Sequence, residues 1–262
     1  MGKGGSPHMV FLHAGIADQR SFTGVMNLLS PNMDVVAYDR RGFGATTYRP
    51  ETHDQVVDLC AVLDAAAMDR AVLVGNSLGG QIALNAALIH PRRIGALVLV
   101  APGVSGAPET GDDEIDESTA AIWSRLEAAE AAGDLDALNR GEIRLWLDGP
   151  SAPDGRVGGA ARQLALDMNA VALRAPSPGS EREPPDAWSR LAEVRCPTLI
   201  VVGDLDLPHF ASRCRFLVEH IPAAQLHVMP GAAHVPTLEQ PDEFAALLRD
   251  FLSARGATYP AH

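Results

Sequence analysis

A serine set between two glycines, Gly75-Asn76-Ser77-Leu78-Gly79, is the segment best placed to do chemistry. The apolar run Ala71–Val74 leads into it and the helix-forming run Gln81–His90 leads out. A strand that turns sharply into a helix strains the backbone at the serine and pushes its Oγ into the open. A Cβ at either flanking glycine would crowd such a turn. The helix N-terminus beneath Ser77 offers unpaired N–H groups and a positive dipole end, which suit a developing oxyanion. A serine hydroxyl is a weak nucleophile at neutral pH. It needs a base, and the base needs an orienting acid.

Nine histidines compete for the role of base. His234 stands apart because it follows the apolar run Leu226–Met229 across Pro230-Gly231-Ala232-Ala233, a small-residue loop expected to be flexible, and precedes the last helical run. In a parallel sheet that position is the C-terminal strand edge, the same edge as Ser77. Gly203-Asp204-Leu205-Asp206 follows the run Thr198–Val202 and offers two carboxylates. Asp206, further out, can reach His234, whereas Asp204 reads as a cap or brace of the turn. The expected catalytic set is Ser77, Asp206 and His234, in the chain order Ser, Asp, His. An oxyanion needs two backbone donors. The N–H of Leu78 supplies one, and the N–H of Ile16, behind His13-Ala14-Gly15, supplies the other. His13 reads as a loop brace, and Asp39 and Arg41 as pins on the neighbouring loop.

The scaffold alternates strand and helix. Met9–Leu12, Val35–Tyr38, Val72–Val74 and Ala96–Val100 read as strands, with helices expected over Arg20–Leu29, Val56–Met68 and Ile82–Ile89. In the second helix, Val56, Leu59, Cys60, Leu63 and Ala67 share a face. The strands are continuously apolar, the pattern of a parallel sheet covered on both faces, so the fold class is α/β. The alternation stops after Val100. From Pro102 to Pro185 no strand is expected, only helical runs near Ile115–Ala132, Asp134–Leu147 and Val157–Arg174, separated by glycine and proline. This reads as an inserted helical cap over residues 102–185, the core comprising 1–101 and 186–262. Trp123, Leu145, Trp146 and Met168 read as packing within the cap more than as lining of an acyl pocket. The rhythm then returns with strands Thr198–Val202 and Leu226–Met229 and helices Pro208–His220 and Asp242–Leu252.

The chain has 262 residues, of which 47% are hydrophobic, enough for one large core with an insertion. A formal net charge of −12 argues against nucleic-acid and anionic-membrane partners. Aromatics at 5% argue against a base- or sugar-stacking surface. Cys60, Cys196 and Cys214 form no C-x-x-C pair, and an odd number makes a poor disulfide framework, so reduced thiols and a cytoplasmic setting are expected. Met1–Pro7 is Gly-rich and lacks an apolar signal segment, and no run approaches the ~18 apolar residues of a membrane span. No metal or organic cofactor is implied, because no ligand-spaced cluster appears.

With these pieces in place, the chain resembles the α/β-hydrolase superfamily over nearly its whole length. The matching pieces are His13-Ala14-Gly15, Asp39-Arg40-Arg41-Gly42-Phe43-Gly44, the elbow Gly75–Gly80, the acid turn Gly203-Asp204-Leu205-Asp206 and the loop Gly231-Ala232-Ala233-His234. In the superfamily the acid falls three residues after the glycine, which here is Asp206. Two departures stand out. His13-Ala14 replaces the usual His-Gly, and the hairpin normally found before the first strand looks to be missing. The shortened sheet leaves an edge that a second copy could cover, as a homodimer. The resemblance implies a serine hydrolase acting on a carboxylic ester or lactone of a small molecule. Asn76 resembles the elbow of C–C bond hydrolases acting on vinylogous diketones, although Val235-Pro236 stands where those carry a tryptophan. The loop His13–Gln19 resembles that of small ligand receptors on the same fold.

Overall fold

The six apolar runs become six parallel strands in a single sheet of order β2-β1-β3-β4-β5-β6. They are β1 (His8–Leu12), β2 (Asp34–Ala37), β3 (Ala71–Asn76), β4 (Ile94–Val100), β5 (Thr198–Gly203) and β6 (Ala224–Met229). The computed structural model describes residues 8–108 and 116–254. Strands β3, β4 and β5 are buried along their whole length, which is why their sequences do not alternate. The edge strands β2 and β6 are partly exposed. The chain passes from β1 outward to β2, then crosses back to β3 on the other side of β1. That reversal opens a crevice beyond the C-terminal ends of β1 and β3, where α/β sheets place their ligands.

Two cores flank the sheet. On one face Met9, Phe11, Val74 and Val98 pack against α1 (Thr23–Leu29) and α9 (Pro241–Ser253) through Val25, Phe244 and Leu248. On the other, Val10, Leu73, Leu97 and Ile200 pack against α2 (Gln55–Ala65), α3 (Leu78–Ile89) and α7 (Pro208–His220) through Leu59, Leu84 and Leu217. Asp54 starts α2 by accepting from the N–H groups of Val56 and Val57. The expected continuation of that helix through Ala67 to Met68 does not occur. Ala67 takes φ 54°, its N–H bonds the Asp64 carbonyl, and the Met68 N–H bonds the Leu63 carbonyl. This paired closure ends the helix, with alanine at a position usually given to glycine. Ala67 therefore does not join the buried face of Val56, Leu59 and Leu63.

Between β4 and β5 lie α4 (Glu117–Ala132), α5 (Leu135–Ile143), a π turn (Arg144–Asp148) and α6 (Gly159–Arg174). Asp116 and Asp134 cap the first two through side-chain oxygens. Ile115, expected at the start of the first of these helices, lies outside the described residues. The expected single helix Asp134–Leu147 is α5 followed by the π turn, a wider winding that re-aims the side chains after Ile143. The short α8 (Pro236–Glu239) sits between β6 and α9. Among the described residues no helix is long and apolar enough to cross a membrane.

Candidate active site

Ser77 closes β3 and opens α3 with φ 54° and ψ −114°, a left-handed conformation for a residue with a Cβ. Such a backbone costs ~1–3 kcal/mol and persists only where the surroundings enforce it. They do so here from both sides. The Ser77 N–H donates to the Val100 carbonyl at 2.8 Å, and the Ser77 carbonyl accepts from Gln81 and Gly103. A Cβ on Gly75 would come within 2.3 Å of the Gly79 oxygen, and one on Gly79 within 2.0 Å of the Leu12 oxygen. The two glycines let α3 start directly against β1, so the loop after β1 faces the serine.

The acid turn and the histidine loop are laced together. Leu205 donates its N–H to the Ala232 carbonyl and Asp204 its N–H to the Met229 carbonyl. Asp206 Oδ1 accepts from the Leu207 N–H, while Oδ2 lies 2.8 Å from His234 Nδ1. Both side chains of that pair are 2% exposed. Asp204 instead accepts the Gly231 N–H at 2.7 Å, bracing the same loop from outside. Ser77 and His234 line one cavity, and no hydrogen bond joins the Ser77 hydroxyl to the ring. Contacts of this kind commonly close only when substrate arrives.

The loop Pro230–Ala233, expected to be flexible, is pinned on every side. His234 donates its own N–H to the Trp146 carbonyl at 3.1 Å and accepts at its carbonyl from Asn76 Nδ2 at 3.0 Å. Its neighbours Ala233 and Val235 both donate to the Glu239 carboxylate. Arg156 pairs with Glu239 and also donates to the Gly231, Leu147 and Asp148 carbonyls. Burial pushes the Glu239 carboxyl above its usual range, while Arg156 and the two N–H groups pull it back. Glu239→Gln removes the charge from this cradle and turns an amide N–H₂ toward one backbone donor. We expect it to cost about 2–4 kcal/mol in a denaturant titration. Activity should fall in parallel, because the imidazole loses its fixed loop.

Ile16 follows β1 and lines the cavity together with Ser77, the residue that opens α3, whose first N–H groups have no partner within the helix. Leu78 is the first residue of that turn. His13 lies behind this loop, fully buried. Its Nε2 accepts the Arg40 N–H, so the proton sits on Nδ1, which donates to the Ala14 carbonyl at 2.8 Å. Burial, then Arg40, hold the His13 pKa well below its ordinary value. The Arg40 guanidinium, buried and resting on the Phe43 ring, donates to the carbonyls of His13 and Ala14. Burial brings its pKa down to about 10. Asp39 accepts from Gln19 and Ala45, and Arg41 pairs with Glu51 and Asp58, so both pin loops rather than face the cavity.

The cavity holds about 380 Å³. Phe43, Glu142, Trp146, Asn169 and Leu173 line it along with Ser77, Ile16 and His234. Sequence reasoning assigned none of those five to the site, and it placed Trp146 in the packing of the helical segment. The π turn carries Trp146 inward, where its ring lies 4.6 Å from that of His234. Trp123 packs edge-on against Trp146, while Leu145 and Met168 are buried away from the cavity lining. A second groove, about 800 Å³, runs on the far side of Phe43 between residues 42–50 and the C-terminal half of α6.

A family model described as "Alpha/beta hydrolase family" matches residues 9–247. The chain is 31% identical to a pimeloyl-acyl-carrier-protein methyl ester esterase of Neisseria meningitidis serogroup B, over 92% of this chain and 91% of the relative. It is 28% identical to a 2-hydroxy-6-oxo-6-phenylhexa-2,4-dienoate hydrolase of Comamonas testosteroni, over 94% and 88%. Among solved structures, a thermophilic esterase from Thermogutta terrifontis superposes with a TM-score of 0.74 at 22% identity, covering 97% of this chain and 92% of that one.

Proposed function

This chain belongs to the alpha/beta hydrolase family, and from that premise we propose that it is a serine hydrolase cleaving a carboxylic ester or lactone of a small organic substrate. The observation that carries the reading is a strained serine and an aspartate-held histidine on one cavity wall. In this mechanism His234 takes the Ser77 proton as Oγ bonds to the substrate carbonyl carbon. The N–H groups of Ile16 and Leu78 hold the resulting oxyanion. Asp206 fixes the imidazole tautomer and stabilises its charged form. Collapse of the tetrahedral adduct breaks the C–O bond, and the imidazolium returns its proton to the departing alkoxide. Water then repeats the sequence on the acyl-serine and frees the acid. The helices of residues 102–185 act as a cap, supplying Trp146, Asn169 and Leu173 to the cavity. Three free thiols, Cys214 fully buried among them, suit a reducing compartment such as the cytoplasm.

Asn76 does not favour the C–C alternative. Its amide is committed to the Val100 and His234 carbonyls, a positioning role that any serine mechanism would use. The test is a substrate panel of acyl esters, lactones and a vinylogous diketone, together with fluorophosphonate labelling. Faster turnover of esters or lactones, with one label on Ser77, is the expected result. Faster turnover of the diketone would overturn the ester reading. Saturable binding without turnover would point to a receptor.

A further inference from the structure

The cavity that holds Ser77 and His234 carries one unbalanced charge. Glu142 is the only carboxylate among the described residues lining it, and no arginine or lysine joins it there. The side chain is fixed rather than free. Its Oε2 accepts from Asn169 Nδ2 at 2.6 Å, the same amide donates to Asn139 Oδ1 at 3.0 Å, and Asn139 Nδ2 donates to the Leu166 carbonyl. Asn139 and Glu142 stand three residues apart on α5, on one face, against α6. Only neutral donors hold the carboxylate. Four arginines of the same helical segment are engaged elsewhere, and Arg125 and Arg140 do not line the cavity. Arg144 binds the carbonyls of Gly149, Pro150 and Ala152, Arg156 binds Glu239, Arg162 binds Asp148, and Arg174 binds Asp136.

A half-buried carboxylate without a countercharge is costly, and burial pushes the Glu142 pKa upward. A cation delivered by a ligand would remove that cost. The walls around it, Ile16, Phe43, Trp146 and Leu173, suit an alkyl spacer, and the two aromatic rings suit a nearby ammonium. We infer that Glu142 determines specificity, anchoring a substrate whose scissile ester is joined by an alkyl spacer to a cationic ammonium group. This deepens the hydrolase reading and rests on it. A substrate with a carboxylate at the same distance meets repulsion instead, so acidic esters are disfavoured.

Three methyl esters of matched length separate the cases: methyl 6-aminohexanoate, methyl heptanoate and monomethyl pimelate. On the unmodified protein the ammonium ester should exceed the neutral one in kcat/KM by about tenfold, with the anionic ester slowest. Glu142→Gln should collapse the cation-to-neutral ratio toward one, and Glu142→Lys should turn the preference toward monomethyl pimelate, a gain that misfolding cannot imitate. Esters turned over without charge preference, or a preference unmoved in Glu142→Gln, would overturn the inference and leave the hydrolase reading standing. The same three esters titrated against Ser77→Ala by tryptophan fluorescence give the charge preference without turnover. Tighter ammonium binding there, with no hydrolysis by the unmodified protein, would uphold Glu142 and sink the esterase reading. Equal binding of all three would sink the inference.

Discussion

Ser77→Ala lowers kcat on the best ester by about 10⁵–10⁶-fold while the protein keeps its thermal midpoint. The two halves of this expectation have different causes. Alanine removes Oγ, so the acyl-enzyme cannot form and no neighbouring side chain replaces it. Alanine keeps the Cβ, so the φ of 54° is as strained as before and the neighbouring hydrogen bonds, all from the Ser77 backbone, survive. Ser77→Gly separates strain from chemistry. It loses the same activity, yet gains about 1–3 kcal/mol of stability because glycine occupies this conformation freely. Steady-state kinetics with calorimetry on both variants checks the pair. A loss of only a few-fold in either would remove Ser77 from the nucleophile's role.

Asp206→Asn is expected to reduce kcat/KM by about 10⁴-fold. Both members of the Asp206–His234 pair are almost wholly buried, so the carboxylate acts on the ring with little screening from water. An asparagine amide at Oδ2 would present N–H to a ring nitrogen that must itself carry a proton, forcing the tautomer in which Nε2 is protonated and unable to accept from serine. Asp204→Asn serves as the comparison. Its carboxylate is exposed and accepts one backbone N–H from Gly231, a bond that the asparagine oxygen reproduces. About a tenfold effect or less is expected there. A larger loss from Asp204→Asn than from Asp206→Asn would exchange the two assignments.

The strands were legible because a two-sided parallel sheet writes itself as unbroken apolar runs, as in Val72-Leu73-Val74 and Leu97-Val98-Leu99. The meeting of Ser77, Asp206 and His234 was legible because each lies just beyond the C-terminal end of a strand, at the same sheet edge. The cavity wall was not. Asn139 and Glu142 have the spacing of one helical face, yet nothing in that spacing says whether the face meets solvent, sheet or another helix. Trp146 sits where a regular helix was expected, and the π turn alters which way it points. The histidine loop looked mobile because its residues are small. Its restraints come from Glu239 and Asn76 acting on main-chain atoms, partners that composition does not reveal. Ala67 misled for a related reason, since helical periodicity carries no mark of where the closing hydrogen bonds fall.

The Trp146 carbonyl and the Arg156 guanidinium fasten the helical wall to the segment bearing the imidazole. Peeling that wall away to admit a reactant would therefore unseat the ring that must act on it. Entry has to leave that wall fastened, and Phe43 borders both the inner chamber and the outer groove.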